Sequence, residues 1–349
     1  MIRDQKDFIS RKKAHLSICE TDEAAFISKK TGFDKYDFLH HACTEVDLSK
    51  INFETDFFGL KVGYPFFISC MTGGVDDSDK INLQLAEAAA KLNIPLGLGS
   101  LRYALNKKEF DSSLIEIRSA LGDAPLMGNL GAHQLISEGD NFEELKRLVK
   151  ICSMDAFVIH LNPLQELLQK NGEPYFTGLK QALKKFTAQI EIPVIVKEVG
   201  SGISKKAALE MLECGVSGID TAGAGGTSWA AVEILRNNNS KGNEFWDWGL
   251  PTSYCISTIN ELRNKHSFML MGSGGINDAF SMAKAFALGA DLCGSARIIL
   301  QTLRKNGVDG VVELVKDWFV TMKNIMYLTG AQTLPEFDDS VLIMKEKLY

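Results

Sequence analysis

The stretch "PVIVKEVGSGISKKAALEMLECGVSGIDTAGAGGTS", residues 193–228, carries one complete unit of architecture. Val194, Ile195 and Val196 are consecutive apolar, β-branched residues without polar alternation, the pattern of a strand buried on both faces. "SKKAALEMLECG" then spaces its apolar residues as a helix does, and "GID" opens a second short run ahead of a loop of small residues. Strand, helix and strand in that order, with the strands covered on both faces, predict parallel strands joined by a crossover helix.

Working outward, the same rhythm runs from residue 66. Eight short apolar runs each close on glycine or a polar group: "PFFISCMTGG", "IPLGLGSLR", "APLMGNLGA", "AFVIHLN", "PVIVKEVGSG", "GIDTAGAGGTS", "FMLMGSGGI" and "ADLCGSAR". Between them lie helix-periodic stretches such as "KINLQLAEAAAKLN", "NFEELKRLVKICS" and "INDAFSMAKAFALG". Eight βα units over about 250 residues have the size of an α/β TIM (β/α)8 barrel. Periodicity does not show closure, so a doubly wound open sheet is the alternative. The first sixty residues are mixed and charged, without strand alternation. They are expected to form an N-terminal extension, 1–60, ahead of a barrel spanning 61–349.

Composition bounds the partners. The 349 residues are 45% hydrophobic, as in an ordinary globular protein, and the formal net charge is −6. A non-specific nucleic-acid binder is normally basic, so nucleic acid is not expected. Seven cysteines, an odd number with no CxxC spacing, fit reduced thiols in a cytoplasmic protein better than a disulfide frame or zinc site. "MIRDQKDFISRKKAH" lacks the apolar core of a signal peptide, and no apolar stretch reaches membrane-span length. A cytoplasmic location with no membrane partner is expected.

Active sites of such barrels sit at the C-terminal strand ends. Those ends here carry Thr72, Ser100 with Arg102, Asn129, His160 with Asn162, Lys197 and Thr221. Turns are polar, so any one of these can simply be a turn. Lys197 resists that reading, because it ends an apolar run and a buried ammonium is costly unless it meets a negative group. "MGSGGIND" and "CGSAR" follow the seventh and eighth runs and lead into helices. Glycines admit backbone N–H groups to a phosphate, a helix N-terminus adds positive potential, and barrel phosphate sites use these two loops. The plainer alternative is a pair of tight βα turns. "TAGAGGTS" is a third small-residue loop, open to a flat cofactor ring. "SRKKAH" clusters Arg11, Lys12, Lys13 and His15. It is either a solvated face or, with Arg11 and His15 one helical turn apart, a clamp for a diphosphate.

Taken in order, "RKKAH", "MTGG", "SLR", "GNLGA", "HLNPLQE", "VKEVGSGIS", "GAGGTSW" and "GSGGI" make the chain resemble the type 2 isopentenyl-diphosphate isomerases, from residue 11 to about 297. "HLNPLQE" together with "RKKAH" is the most specific part, since related flavin barrels lack that pairing. The resemblance implies a TIM barrel holding FMN, with Mg²⁺, a small-molecule diphosphate substrate, NADPH as the usual flavin reductant, and a homo-oligomer, tetramer or octamer. It implies interconversion of isopentenyl and dimethylallyl diphosphate without net redox change.

Residue by residue, the resemblance implies that Arg11 and Lys12 bind the diphosphate, helped by His15, Ser100 and Arg102. Met71, Thr72 and Gly73 would lie against the flavin with Ser100 and Asn129. Lys197 would face the pyrimidine edge of the ring, and Thr227 the FMN phosphate or its tail. Gly274, Gly275, Ser295 and Ala296 would offer backbone N–H groups to that phosphate. His160 and Asn162 would lie near the substrate, Gln165 by the allyl carbons, and Glu166 on Mg²⁺. Mg²⁺ keeps most of its waters, so one carboxylate suffices. Shifting a double bond adds a proton at one carbon and removes one from another, through a cation-like state that an electron-rich ring stabilises. Glutamine is a poor acid and a poor base, which leaves it orienting or relaying. The competing reading is an FMN-dependent oxidoreductase of the 2-hydroxy-acid oxidase kind, which places a catalytic histidine in the loop after the sixth strand. That loop here has none. The tryptophans of "LRNNNSKGNEFWDWG" receive no role from the sequence.

Overall fold

All eight apolar runs are strands, and they close. In the computed structural model, which describes residues 14–71, 73, 76–237 and 242–348, parallel strands pair in chain order around a ring. They are β1 (Phe66–Ile68), β2 (Leu96–Gly97), β3 (Leu126–Gly131), β4 (Ala156–Leu161), β5 (Val194–Glu198), β6 (Gly218–Asp220), β7 (Met269–Ser273) and β8 (Leu292–Ser295). Pairing of Ser295 with Ile68 shuts the ring and excludes the open doubly wound sheet.

Helices cover the outside. α1 (Asp76–Leu92) follows β1 and α2 (Asp111–Leu121) follows β2. α3 (Ala132–Glu138) and α4 (Glu143–Cys152) follow β3, while α5 (Pro163–Leu168) and α6 (Leu179–Gln189) follow β4. Then come α7 (Lys205–Leu212), α8 (Trp229–Asn237), α9 (Thr252–Asn260), α10 (Ala279–Ala287) and α11 (Arg297–Thr329). The helix starts are chemically marked. Ser204 accepts the Ala207 N–H at 3.2 Å at the head of α7, and Asp278 accepts the Ser281 N–H at 2.8 Å at the head of α10. α11 is two helical pieces meeting at Gly307, whose φ of 69° lies in the left-handed region open to glycine.

Two apolar layers hold the barrel. Outward-facing strand residues pack under the helices, as Phe157 does against Phe186 of α6 and Phe66 against Trp318 of α11. Inward-facing Phe67, Met127, Val158, Ile195, Met271 and Leu292 fill the interior. That inner layer is joined by fully buried Phe57 and Val62, which come from a hairpin, Thr55–Phe57 with Leu60–Val62. The hairpin seals the N-terminal end of the barrel, leaving the opposite end for chemistry. A second pairing ties the chain ends, with Tyr36–Phe38 antiparallel to Leu342–Met344. Strands of three residues are too short to print an alternation, which is why residues 1–60 read as strandless.

The register also prepares the site. His160, Lys197 and Asp220 are successive partners across β4, β5 and β6, so one row places an imidazole, an ammonium and a carboxylate at the barrel mouth.

Candidate active site

The mouth holds one cleft with two adjoining chambers that share His15, Met71, Lys197 and Trp229. The first is floored by the loops after β6, β7 and β8. Thr227, Gly274, Gly275, Ser295 and Ala296 all line it. Gly274 and Gly275 have φ of 104° and 70°, and a Cβ on Gly226 would lie 2.6 Å from the Gly275 nitrogen. The loops therefore meet backbone to backbone, with no room for side chains between them. Ser295 Oγ donates to the Ile276 carbonyl and binds the β8 loop to the β7 loop. Gly73 is close-packed to a lesser degree, since a Cβ there would stand 3.3 Å from the Ser100 carbonyl oxygen. A narrow, small-residue cradle beside the N-terminus of a long helix suits a flavin phosphate and ring.

Lys197 lies within electrostatic reach of two buried carboxyl groups, Glu198 and Asp220, and its own hydrogen bond goes to the backbone. It is buried, and its Nζ donates to the Glu198 carbonyl at 2.7 Å. Buried Asp220 is its register partner on β6 and accepts from Ser273 Oγ at 2.5 Å. Burial pushes Asp220 up to about 6, with the Lys197 charge pulling the other way. Burial likewise raises Glu198 to about 7, opposed by the amides that its Oε2 accepts, those of Val199 and Gly200 at 2.6 Å and that of Ser201.

The second chamber is polar and lies over β2, β3 and β4. Ser100, Arg102, Asn129, His160, Asn162, Gln165 and Glu166 all line it. His160 Nδ1 is 2.9 Å from Asn129 Oδ1, which orients the ring. Asn162 Nδ2 donates to Gln165 Oε1 and to Glu166 Oε1, both at 3.0 Å. Gln165 Nε2 donates to Glu233 Oε1 at 3.3 Å, and His15 Nε2 reaches the same oxygen at 2.8 Å. Arg236 holds the other oxygen at 2.7 Å. Glu233 is fully buried. Burial raises its pKa, but His15 and Arg236 outweigh that and hold the carboxyl below its usual range. Arg11, Lys12 and Thr72 fall outside the described residues.

Among the described residues no three His, Cys, Asp or Glu side chains gather as a metal cage. Glu166 stands as a single carboxylate beside the amides of Asn162, Gln165 and Gln169. That donor set fits Mg²⁺, which takes one or two carboxylates plus substrate phosphates. Glu166 is not a helix cap. It lies within α5, and its Oε2 accepts the Glu173 N–H at 2.8 Å, so it also anchors the loop beyond α5.

Residues 6–107 and 160–344 match the family of FMN-dependent dehydrogenases. The isopentenyl-diphosphate delta-isomerase of Chlorobaculum parvum is 37% identical over 349 residues, covering 96% of this chain and 97% of the relative. That of Methanothermobacter thermautotrophicus is 38% identical, covering 96% and 93%. This chain belongs to the isopentenyl-diphosphate delta-isomerase family. Among solved structures, the lactate oxidase of Pediococcus acidilactici superposes with a TM-score of 0.68 at 16% identity, over 94% of both chains. The flavin-binding domain of baker's yeast flavocytochrome b2 gives 0.67 at 16%, over 93% and 80%. At that identity the likeness shows a shared barrel and nothing finer.

Three further residues at the cleft received no role from the sequence. Glu233 was hidden in "AAVEIL", where a lone acid inside an apolar helix was the available signal. Trp229 stands edge-on to His15, ring centres 5.2 Å apart, and lines both chambers. Arg297 lines the first chamber at the head of α11, and its Nη1 is buried without a hydrogen-bond partner among the described residues, 3.4 Å from exposed Asp22. The unassigned loop after α8 fastens the N-terminal segment. Trp246 Nε1 donates to the Ala25 carbonyl at 2.9 Å, and Asp247 accepts the Ile27 and Ser28 amides at 2.8 Å.

Proposed function

We propose that this chain interconverts isopentenyl and dimethylallyl diphosphate on reduced FMN, with Mg²⁺ joining Glu166 to the substrate diphosphate and NADPH keeping the flavin reduced. The observation that carries the reading is the buried set Asn162, Gln165, Glu233 and His15, beside the glycine-lined chamber. An isomerase must give one proton and take another, and a histidine beside an ionised carboxylate can serve both transfers.

When bound, reduced FMN supplies an electron-rich face that stabilises cation-like charge on the alkene. Gly274, Gly275, Ser295, Ala296 and Thr227 would hold its phosphate end, Met71, Gly73, Ser100 and Asn129 would border the ring, and Lys197 would sit at its pyrimidine edge. Arg102 and the basic run at Arg11 and Lys12 would neutralise the diphosphate, with the Ser100 hydroxyl free to donate a hydrogen bond to it. His15 and Gln165 both line the substrate chamber; Gln165 Nε2 donates to Glu233 Oε1 and His15 Nε2 lies 2.8 Å from the same oxygen, so a proton taken up by His15 would have an ionised carboxylate beside it. Histidine is the natural proton carrier there. Gln165, which does not ionise, orients the alkene. The loop after β6 has no histidine to serve as the base of a 2-hydroxy-acid oxidase.

The test is an anaerobic isomerisation assay with dithionite-reduced FMN, Mg²⁺ and no NADPH. Turnover is expected. Turnover seen only with NADPH oxidised one-for-one with product would overturn the proposal.

A further inference from the structure

We infer that Glu173, outside the cleft lining, is a positioning residue that sets the diphosphate-binding cation Arg102 and the carboxylate of Glu166 in one frame. This rests on the reading of Arg102 and Glu166 as diphosphate and metal groups.

Three contacts converge on Glu173 from three consecutive βα loops. Its Oε2 lies 3.2 Å from Arg102 Nη1, in the loop after β2. The same oxygen lies 3.2 Å from His133 Nδ1, in α3 after β3. Its backbone N–H donates to Glu166 Oε2 at 2.8 Å, in α5 after β4. The loop is forced into this path. Gly172 lies so close to the Glu166 carbonyl that a Cβ there would collide with it, and Asn171 turns the chain with φ 60°. Glycine at 172 thus brings the next amide against the Glu166 side chain.

The layout argues against a mere surface ion pair. Arg102 lines the chamber whereas Glu173 does not, and Glu173 Oε2 engages Nη1, which leaves the rest of that five-donor fork for a ligand. Arg102 is 43% exposed, and a long, half-exposed side chain without such a partner spends most of its time elsewhere. A residue that orients both the cation and the metal carboxylate acts on diphosphate capture and leaves proton transfer alone.

The experiment uses FMN-loaded protein and the probe inorganic pyrophosphate with Mg²⁺, read by calorimetry, so no turnover is needed. Glu173→Gln keeps the backbone N–H and removes the charge. It should weaken pyrophosphate binding about tenfold, the scale of one charge-assisted hydrogen bond. KM for the diphosphate substrate should rise by a similar factor, with kcat and FMN content nearly unchanged. In an Arg102→Ala background the same substitution should add little, because its route is gone. Binding as tight as the parent's, or tighter, overturns the inference, tighter binding meaning that the carboxylate competes with the ligand. If the parent itself fails to bind Mg²⁺-pyrophosphate, the diphosphate site falls and this inference with it.

Discussion

Glu233 shows what a single residue can conceal. A carboxylate in an apolar helix normally protonates or finds partners, because an unpaired buried charge is expensive. Here His15 and Arg236 keep it ionised. Nothing local signals this pairing, since His15 and Glu233 are far apart in the chain and meet only when the barrel closes. Lys197 was legible for the opposite reason: the anomaly, a cation ending "PVIV", sits within one strand. Two outcomes follow. Glu233→Gln retains shape and removes the acceptor, so kcat for isomerisation should fall at least about 100-fold while FMN content stays unchanged. A kcat within a few-fold of the parent's would remove Glu233 from the proton path. Lys197→Met should lower the flavin reduction potential or weaken FMN retention, because the charge favouring the anionic reduced form is gone. A titration of bound flavin with the same potential and affinity as the parent would reduce Lys197 to the partner of Asp220.

At the scale of elements, loops and helix starts line the cleft, and legibility follows how continuous the local pattern is. β1, β2 and β6 are as short as the strands of the plugging hairpin yet were readable, because each sits in a continuous apolar run buried on both faces, whereas the hairpin strands "TDF" and "LKV" carry charges on exposed positions. The glycine loops were readable because "GSGG" and "GSAR" are local, but Arg297 was not singled out, as its role depends on where α11 begins. Arg297, the α11 N-terminus and the glycine cradle all point to one anion. Arg297→Gln should therefore weaken FMN binding about tenfold and leave riboflavin, which lacks the phosphate, binding as it does to the parent. Equal losses for both ligands would mean a general loosening of the cleft. The α5 turn gives Glu166 a second task. Because its carboxylate also holds the Glu173 amide, Glu166→Gln should raise the Mg²⁺ requirement and lower the melting temperature slightly, on the scale of about 1 kcal/mol for one hydrogen bond. A variant that melts early yet titrates with Mg²⁺ like the parent would sink the ligand assignment.

For the whole molecule, the barrel stacks apolar layers from the hairpin plug upward and then ends in acids that water does not reach. Glu198 and Asp220 are both buried, and burial sets their folded pKa values at about 7 and about 6, above the ordinary carboxyl range. The sign follows from proton counting. Between the ordinary value and the raised one, the folded chain holds protons that the unfolded chain has released, so stability falls as pH rises through that window. The contribution is complete below an ordinary carboxyl pKa near 4.5 and is lost by pH about 7 for Glu198. Glu233 runs the other way, its stabilising pairs being lost only on acidification. Glu198→Gln isolates the first effect, since the amide oxygen still accepts from Val199 and Gly200 while Asp220 stays beside Lys197. Melting of the FMN-free variant and parent should be compared from pH 4.5 to 8. The variant should gain on the parent as pH rises, by a few degrees across the range. A difference that shrinks with rising pH would mean that the amides around Glu198 Oε2 outweigh burial and hold the carboxylate ionised throughout.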